Sequence, residues 1–376
     1  MTHVMSILGT RPEAIKMAPV IKELEKYPAK IRSTVVVTAQ HREMLDQVLG
    51  IFDIKPDYDL NIMSSNQTLA DVTIKVLKGM EEIFSKDRPD VVLVQGDTTT
   101  VLAGALAAFY HKIKIGHVEA GLRTNNLQNP WPEEMNRRVV DSFADFYFCP
   151  TILGKQNLIK EGIPEKKIFV TGNTVIDALL WVANQSYEIT NDSLKTVDFS
   201  NKKIILLTTH RRENYLSGGM KEIYEAIKEI LKKHQDVEVV FPVHLNPNVR
   251  KLAHEKLDNN NPRVHLVDPL DYRDLVKLMK SSCIVLTDSG GIQEEAPSLG
   301  KPVVILRETT ERPEGIEAGT AILAGTRQVN IFEIVDKLLS DKVFYGKMSN
   351  AVNPYGDGKS AWRIVDIIKR SFEELT

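Results

Sequence analysis

The chain has 376 residues, more than a single hydrophobic core usually organises, so two domains are expected. Charged residues make up 26% of it and the formal net charge is −2, which excludes the broad basic excess of a nucleic-acid-binding protein. Its two cysteines, Cys149 and Cys283, sit at apolar strand ends and are too few for a disulfide framework or a cysteine-rich metal site; no apolar run reaches the roughly 18 residues that span a bilayer.

The N-terminal Met leads into a strand with no signal-peptide pattern, so the cytoplasm is the expected location and no membrane is expected as a partner. From there, apolar runs of strand length alternate with amphipathic stretches. In the first half, strands are predicted at 4–8, 33–38, 91–95, 115–119 and 146–149, and helices at 13–26, 42–49, 69–84, 99–110 and 133–143. In the second half, strands are predicted at 203–208, 238–242, 264–266, 284–287 and 303–306, and helices at 219–234, 249–256, 272–280, 291–299 and 331–339. Repeated strand–helix units predict an α/β fold of two doubly wound, Rossmann-like domains with parallel sheets. The boundary is expected near Gly172-Asn173-Thr174, dividing the chain into 1–172 and 173–359, and the polar stretch 184–201 reads as a connection or an irregular helix. Ligands of such sheets bind beyond the carboxyl ends of the strands, so a cleft between the two domains is the expected site.

Polar motifs do cluster at those strand ends. Gly9-Thr10-Arg11-Pro12-Glu13 follows the first strand, with Lys16 one turn into the next helix; Gly9 permits close backbone approach, and Arg11 and Lys16 would stand near a helix N-terminus, ready for phosphate oxygens. The dinucleotide pattern G-x-G-x-x-G is absent. In Gln95-Gly96-Asp97-Thr98-Thr99-Thr100, Asp97 is either a helix cap or an acid of the site. Glu119, in His117-Val118-Glu119-Ala120-Gly121-Leu122-Arg123, ends a buried strand, where a carboxylate is costly unless paired or functional. Glu133 and Glu134 open a helix after Pro130-Trp131-Pro132, where either can complement the helix dipole or join the other acids in acid–base work.

In the second half, His210-Arg211-Arg212-Glu213 ends a strand and places an imidazole and two cations on one rim. Pro242-Val243-His244-Leu245-Asn246-Pro247 is another polar strand end. Thr287-Asp288-Ser289-Gly290-Gly291-Ile292-Gln293-Glu294-Glu295 runs from an apolar strand through a glycine turn into a helix. It reads either as a serine-capped turn or as an anion site, in which Ser289, Gly290 and Gly291 meet a phosphate and Glu295 a sugar hydroxyl. Arg312 can reach the same rim, and Asn353-Pro354-Tyr355-Gly356-Asp357-Gly358 reads as a corner before the last helix. No His or Cys pair has a usual metal-ligand spacing, and no nucleophile elbow surrounds Ser289. Cations suit a diphosphate and acids suit a sugar.

Taken together, these motifs, with Thr38-Ala39-Gln40-His41-Arg42 and Thr171-Gly172-Asn173-Thr174, closely resemble those of the non-hydrolysing UDP-N-acetylglucosamine 2-epimerases, and the resemblance covers essentially the whole chain. It implies a GT-B-like architecture, a closing helix at 360–376 that returns to the first domain, and a homodimer. It also implies interconversion of UDP-GlcNAc and UDP-ManNAc with neither nicotinamide nor metal cofactor, in the service of cell-surface polysaccharide synthesis. On the family's pattern, Asp97, Glu119 and Glu133 match the catalytic carboxylates and His210 the histidine near the diphosphate. Arg11, Lys16, Ser289, Gly290, Gly291, Glu295 and Arg312 match nucleotide-binding positions, while Leu270 and Leu275 stand where some members carry Gln and Phe near the uracil. Gln40, Glu133, Arg211 and His244 match in part a second UDP-GlcNAc pocket through which some bacterial members are activated; Glu43 and Asn66 depart from it. A GT-B glycosyltransferase, a hydrolysing epimerase and a non-catalytic sugar-nucleotide sensor are the rival readings.

Overall fold

Runs such as Val91–Gln95, with no exposed residue on either side of the strand, can only be central strands of a sheet covered on both faces. In the computed structural model, which describes residues 1–38, 42–64, 66–211, 214–215, 218–258 and 261–373, two such sheets form, one in each of two units. The first unit comprises 1–178 with 356–376, and the second 179–355.

The first sheet has strands β1 (Thr2–Leu8), β2 (Ile31–Val37), β3 (Tyr58–Asp59), β4 (Val91–Gln95), β5 (Lys114–Val118), β6 (Phe146–Cys149) and β7 (Ile168–Val170), in the order β3-β2-β1-β4-β5-β6-β7. The second has β8 (Lys203–Thr208), β9 (Val237–Pro242), β10 (Val264–Val267), β11 (Ile284–Thr287), β12 (Val303–Ile305) and β13 (Ala321–Leu323), in the order β10-β9-β8-β11-β12-β13. The pairings between neighbours are parallel, for example Val4 with Val91 and Thr208 with Thr287. Alternate residues of β8 enter different cores: Ile205 and Leu207 pack with Tyr224 and Phe241, whereas Ile204 and Leu206 pack with Leu278 and Ile292. In both sheets the strand order reverses beside the first strand of the unit. That places a crevice at the carboxyl ends of β1 and β4, and another at those of β8 and β11.

Several elements depart from the predicted pattern. The edge strands β3, β7 and β13 and the helices Ile152–Lys160, Thr174–Ala183 and Lys342–Ser349 were not expected. The edge strands are two or three residues long and partly exposed, so their sequences carry little periodicity and the neighbouring strand supplies the order. The helix expected at 291–299 is α-helical only over Gly290–Glu295 and tightens to a 3₁₀ turn over Ala296–Leu299, since Pro297 offers no N–H for the α pattern. The polar stretch 184–201 is a connection with one 3₁₀ turn, Asp192–Leu194, anchored by buried Leu194.

The first unit continues past residue 172 because Asp177 has a task there. Its carboxylate accepts hydrogen bonds from the backbone N–H groups of Ser360 (3.2 Å) and Ala361 (2.9 Å), satisfying orphan donors of the closing helix Ser360–Glu373. Residues 374–376 of the expected helix lie outside the described residues. Among the described residues no helix is long and apolar enough to cross a membrane.

Gly121 follows β5 with φ +85°, and a Cβ there would overlap the Gly154 carbonyl group, which is backbone and cannot swing aside. Gly121→Ala is therefore expected to destabilise the protein by roughly 2–4 kcal/mol, combining positive-φ strain with overpacking, as read by urea unfolding.

Candidate active site

The carboxyl end of β5 carries the most constrained side chain of the first unit. Glu119 has φ +69°, a conformation that non-glycine residues seldom adopt and that marks a residue held for a purpose. Its backbone N–H and that of Ala120 both donate to the Phe148 carbonyl. Its carboxylate, 8% exposed, accepts from Lys16 Nζ at 2.6 and 2.7 Å, from Gln95 Nε2, and from Asn173 Nδ2 at 3.3 Å. Lys16, read from sequence as a phosphate ligand, is thus engaged with a carboxylate. Asn173, read as part of a domain boundary, is buried beside the same group.

Asp97 stands on the adjacent turn. Gly96 has φ +83°, and a Cβ there would come within 3.7 Å of Glu119 Oε2, so the two turns lie side by side. The alternative that Asp97 caps the next helix fails: Thr98 does so, accepting from Val101 N–H at 3.3 Å. The Asp97 carboxylate instead accepts from Arg137 through Nε (3.0 Å) and Nη2, and its carbonyl accepts from Asn136 Nδ2 at 2.8 Å. Both partners project from the helix Glu133–Asp141. Glu133, in the first turn of that helix, is half-buried, and its side chain makes no hydrogen bond or ion pair among the described residues. Glu134 is the structural member of the pair: fully buried, it accepts from Thr124 and Asn125 N–H and from Arg137 Nη1. Arg11, half-buried at the start of the helix Arg11–Leu24, makes no side-chain bond among the described residues.

Beneath these turns lies a row of buried charges. His117 donates through Nε2 to the Gly96 carbonyl (2.7 Å), which can only accept, and pairs through Nδ1 with Asp141 (2.7 Å). Asp141 also pairs with Arg123 (2.8 Å), which continues to Glu161 (2.6 Å). Burial opposes charge on His117, but Asp141 and the Gly96 carbonyl overcome it and raise the imidazole above its ordinary range. Burial would likewise raise Asp141, yet His117 and Arg123 hold it below the usual carboxylate range. Glu13, under the β1 turn, behaves oppositely. Burial pushes its carboxyl up to about 7 against hydrogen bonds from Thr98, Gly9 and Thr10, with the charge of Asp97 adding to the rise.

In the second unit, Asp288 organises the switch point. Fully buried, it accepts from Thr209 Oγ1 (2.8 Å), from the N–H groups of His210 and Arg211 (each 3.0 Å) and from Asn214 Nδ2 (2.9 Å). That fixes the turn bearing His210, whose ring stacks on His244 at 5.3 Å. Burial holds the His210 imidazole below its ordinary value; Asp288 opposes this, and His244 and Arg211 reinforce it. Ser289 precedes the helix Gly290–Glu295 but makes no side-chain cap, so the first-turn N–H groups at Gly290 and Gly291 are not answered by it. A Cβ on Gly290 would lie 4.0 Å from Arg312 Nη2, so the guanidinium flanks this turn. Arg312 pairs with Glu294, and Glu295 accepts from the Tyr272 hydroxyl at 3.3 Å. The Asn353–Tyr355 corner fastens both segments: Asn353 Nδ2 donates to the Glu294 carbonyl, and the Tyr355 hydroxyl donates to the Arg312 carbonyl. Leu270 belongs to a hydrophobic core with Leu278 and Ile292, and half-buried Leu275 packs against it. Gln40, Arg212 and Glu213 lie outside the described residues.

The structure therefore brings Asp97, Glu119 and Lys16 together in the first unit, with Glu133 on the helix that grips Asp97. It brings His210, Arg211 and His244 together in the second, with Ser289, Gly290, Gly291 and Arg312 on the neighbouring turn. Sequence reasoning missed Gln95, Asn136, Arg137 and Asn173 as site residues. The signal for Gln95 was a polar residue closing an otherwise apolar strand.

The chain thus has two Rossmann-like units, one presenting carboxylates and the other a glycine turn with open N–H groups at their switch points. The family model for UDP-N-acetylglucosamine 2-epimerase matches residues 22–369. The chain is 55% identical over 363 residues to the UDP-N-acetylglucosamine 2-epimerase of Bacillus subtilis, covering 96% of this chain and 94% of the relative. It is 52% identical to that of Escherichia coli K12, with 98% of each covered. The crystal structure of UDP-GlcNAc 2-epimerase from Neisseria meningitidis bound to UDP-GlcNAc superposes with a TM-score of 0.88 at 50% identity, covering 98% of this chain and all of the other. The chain belongs to the UDP-N-acetylglucosamine 2-epimerase family, a family of isomerases.

Both His117 and Glu13 have folded-state values above their ordinary ones, so each contributes stability below its ordinary value that is lost as pH rises through the raised one. Asp141 is lowered, so its contribution is present above the ordinary carboxylate value and is lost in acid. Urea unfolding of the whole chain is expected to show stability declining from about pH 5 upward. His117→Gln should cost about 3–5 kcal/mol at neutral pH, since it leaves Asp141 short of a buried partner, and its alkaline decline should be shallower.

Proposed function

We propose that the chain interconverts UDP-N-acetylglucosamine and UDP-N-acetylmannosamine by eliminating and re-adding UDP. The observation that carries this reading is Glu119: a carboxylate on a left-handed backbone at a buried strand end, held by Lys16, Gln95 and Asn173 beside the Asp97 turn. No core needs such an arrangement, and proton transfer at carbon does.

The chemistry follows from the substrate. Carbon 2 of the sugar has no adjacent carbonyl, so removal of its proton cannot give a stabilised enolate. In the elimination, the anomeric C–O bond breaks and its electron pair leaves with UDP. The C–H pair at carbon 2 becomes the double bond of 2-acetamidoglucal, and a carboxylate receives the proton. Return of a proton to the other face of carbon 2 and of UDP to carbon 1 gives the epimer. The sequence is redox-neutral: the UDP that leaves adds back to carbon 1, and no water is consumed.

In this reading Asp97, on the turn after β4, Glu119, on the turn after β5, and Glu133, at the start of the helix Glu133–Asp141, share the proton transfers. Arg137 orients Asp97, and Lys16 offsets the charge of Glu119. Arg11 meets the departing diphosphate, which gains charge as the bond breaks. In the second unit, the backbone at Ser289, Gly290 and Gly291, with Arg312, holds phosphate oxygens, and His210 contacts the diphosphate. Glu295 accepts from hydroxyl groups of the nucleotide. With Leu270 in the core and Leu275 packed against it, uracil is recognised through the backbone and by packing.

A second UDP-GlcNAc, bound at Gln40, Glu133, Arg211 and His244, would activate the enzyme. The stacking of His210 on His244 favours this, since it joins a residue of each proposed pocket. Exposed Phe109, Tyr110, Met135 and Val139 on helices of the first unit suit a homodimer. Acting in the cytoplasm, the chain would supply ManNAc units for surface polysaccharide.

Incubation with UDP-GlcNAc in D₂O, followed by proton NMR, is expected to give UDP-ManNAc with deuterium at carbon 2 and little free ManNAc. Accumulation of UDP and free ManNAc would favour a hydrolysing enzyme, and an unchanged carbon 2 a transferase or a sensor. Glu119→Gln and Asp97→Asn should each lower turnover by about 10²-fold or more, while calorimetry still detects UDP binding.

A further inference from the structure

One buried carboxyl group lies beside this site without belonging to the set above. Glu13 is 2% exposed and continues the buried stripe of Met17, Val20 and Leu24 along the helix Arg11–Leu24, where an apolar side chain would ordinarily sit. Its Oε2 accepts from Gly9 N–H at 2.7 Å. Its Oε1 accepts from Thr10 Oγ1 at 2.9 Å and from Thr98 Oγ1 at 2.8 Å. Thr10 makes no side-chain cap for its own helix, its hydroxyl being turned to Glu13. Thr98, directly after Asp97, caps the helix Thr99–Tyr110 and donates its hydroxyl proton to Glu13 at the same time.

Glu13 therefore spans the two turns of the switch point, the β1 turn that leads to Arg11 and the β4 turn that carries Asp97. The turns also meet directly: a Cβ on Gly9 would collide with the Thr100 side chain. A buried carboxyl is expensive to desolvate, and the helix–sheet contact alone would be served by leucine. What only a multi-acceptor group can do here is take three donors from two loops and fix their register.

We infer that Glu13 is a positioning residue of the epimerase site, joining the Gly9-Thr10-Arg11 turn to the Asp97-Thr98 turn through Thr10 and Thr98. The inference rests on the function proposed above. It acts through Asp97, whose backbone position decides whether its carboxylate meets both Arg137 and the substrate proton.

The test compares Thr98→Val, which removes the hydroxyl at nearly constant volume, with Thr98→Ser, which restores it, and with Glu13→Gln. Deuterium entry at carbon 2 of UDP-GlcNAc in D₂O gives kcat and KM, and calorimetry gives UDP affinity. Thr98→Val and Glu13→Gln should lower kcat roughly tenfold or more, about the rate equivalent of one buried hydrogen bond, with KM and UDP affinity changed by at most about twofold. Thr98→Ser should recover most of the loss. Independently of activity, amide hydrogen exchange across 97–101 should quicken in Glu13→Gln, which leaves the Thr98 cap on Val101 N–H in place. Unchanged kcat in Glu13→Gln, or equal losses in the valine and serine variants of Thr98, would overturn the inference. So would unchanged exchange at 97–101 in Glu13→Gln. If the unaltered chain put no deuterium into carbon 2, the epimerase reading would fall, and the exchange measurement would still decide whether Glu13 locks the turn.

Discussion

The Lys16–Glu119 ion pair is the interaction on which the first unit's site turns. A carboxylate at the end of a buried strand, on a left-handed backbone, is disfavoured twice, by desolvation and by conformation. An ammonium group at 2.6 Å and two amide donors offset the first, and the paired N–H groups of Glu119 and Ala120 on one carbonyl maintain the second. Every neighbouring feature is arranged around that side chain. Gly96, at φ +83°, turns the chain beside its carboxylate, His117 holds the Gly96 carbonyl from below, and Asn173 arrives from a segment more than fifty residues later in the chain.

Both units solve the same mechanical problem in the same way. A strand end that must present polar groups cannot use its own backbone to stay in place, because the sheet has ended. In the second unit, Asp288 gathers two consecutive N–H groups and two side-chain donors and so sets the turn bearing His210. In the first, Glu13 gathers one N–H and two hydroxyls from neighbouring turns. The exposed members of each site are few, and the buried acids behind them keep those few in register.

The charge pattern around His117 follows a different logic. The row His117, Asp141, Arg123 and Glu161 alternates in sign from the interior to the surface. Alternation lets each buried charge compensate its neighbour, where any single one would be intolerable. Its inner end reaches the Gly96 carbonyl, so a network that is structural in composition supports the turn bearing Asp97.

Much of this protein was legible in the order of its residues. Apolar runs with period-free burial on both sides, alternating with amphipathic stretches, determined two parallel sheets. The glycine turns at strand ends marked where polar groups would gather, and the joint occurrence of the motifs identified the family to which the chain belongs. Local chemistry suffices for these, because helix and strand periods and turn preferences act over a few residues. Tertiary structure alone decided the rest. It set Lys16 against a carboxylate rather than leaving it to a phosphate, and gave the cap to Thr98 so that Asp97 could pair with Arg137. It turned Glu134 inward as a loop anchor, while Glu133, one residue earlier, stays half-buried and unpaired among the described residues. It also drew Asn173 and Asp177 into the first unit. Each of these depends on which distant segments meet, and a spacing along the chain holds no record of a contact across β1, β4 and β5 until the sheet has formed.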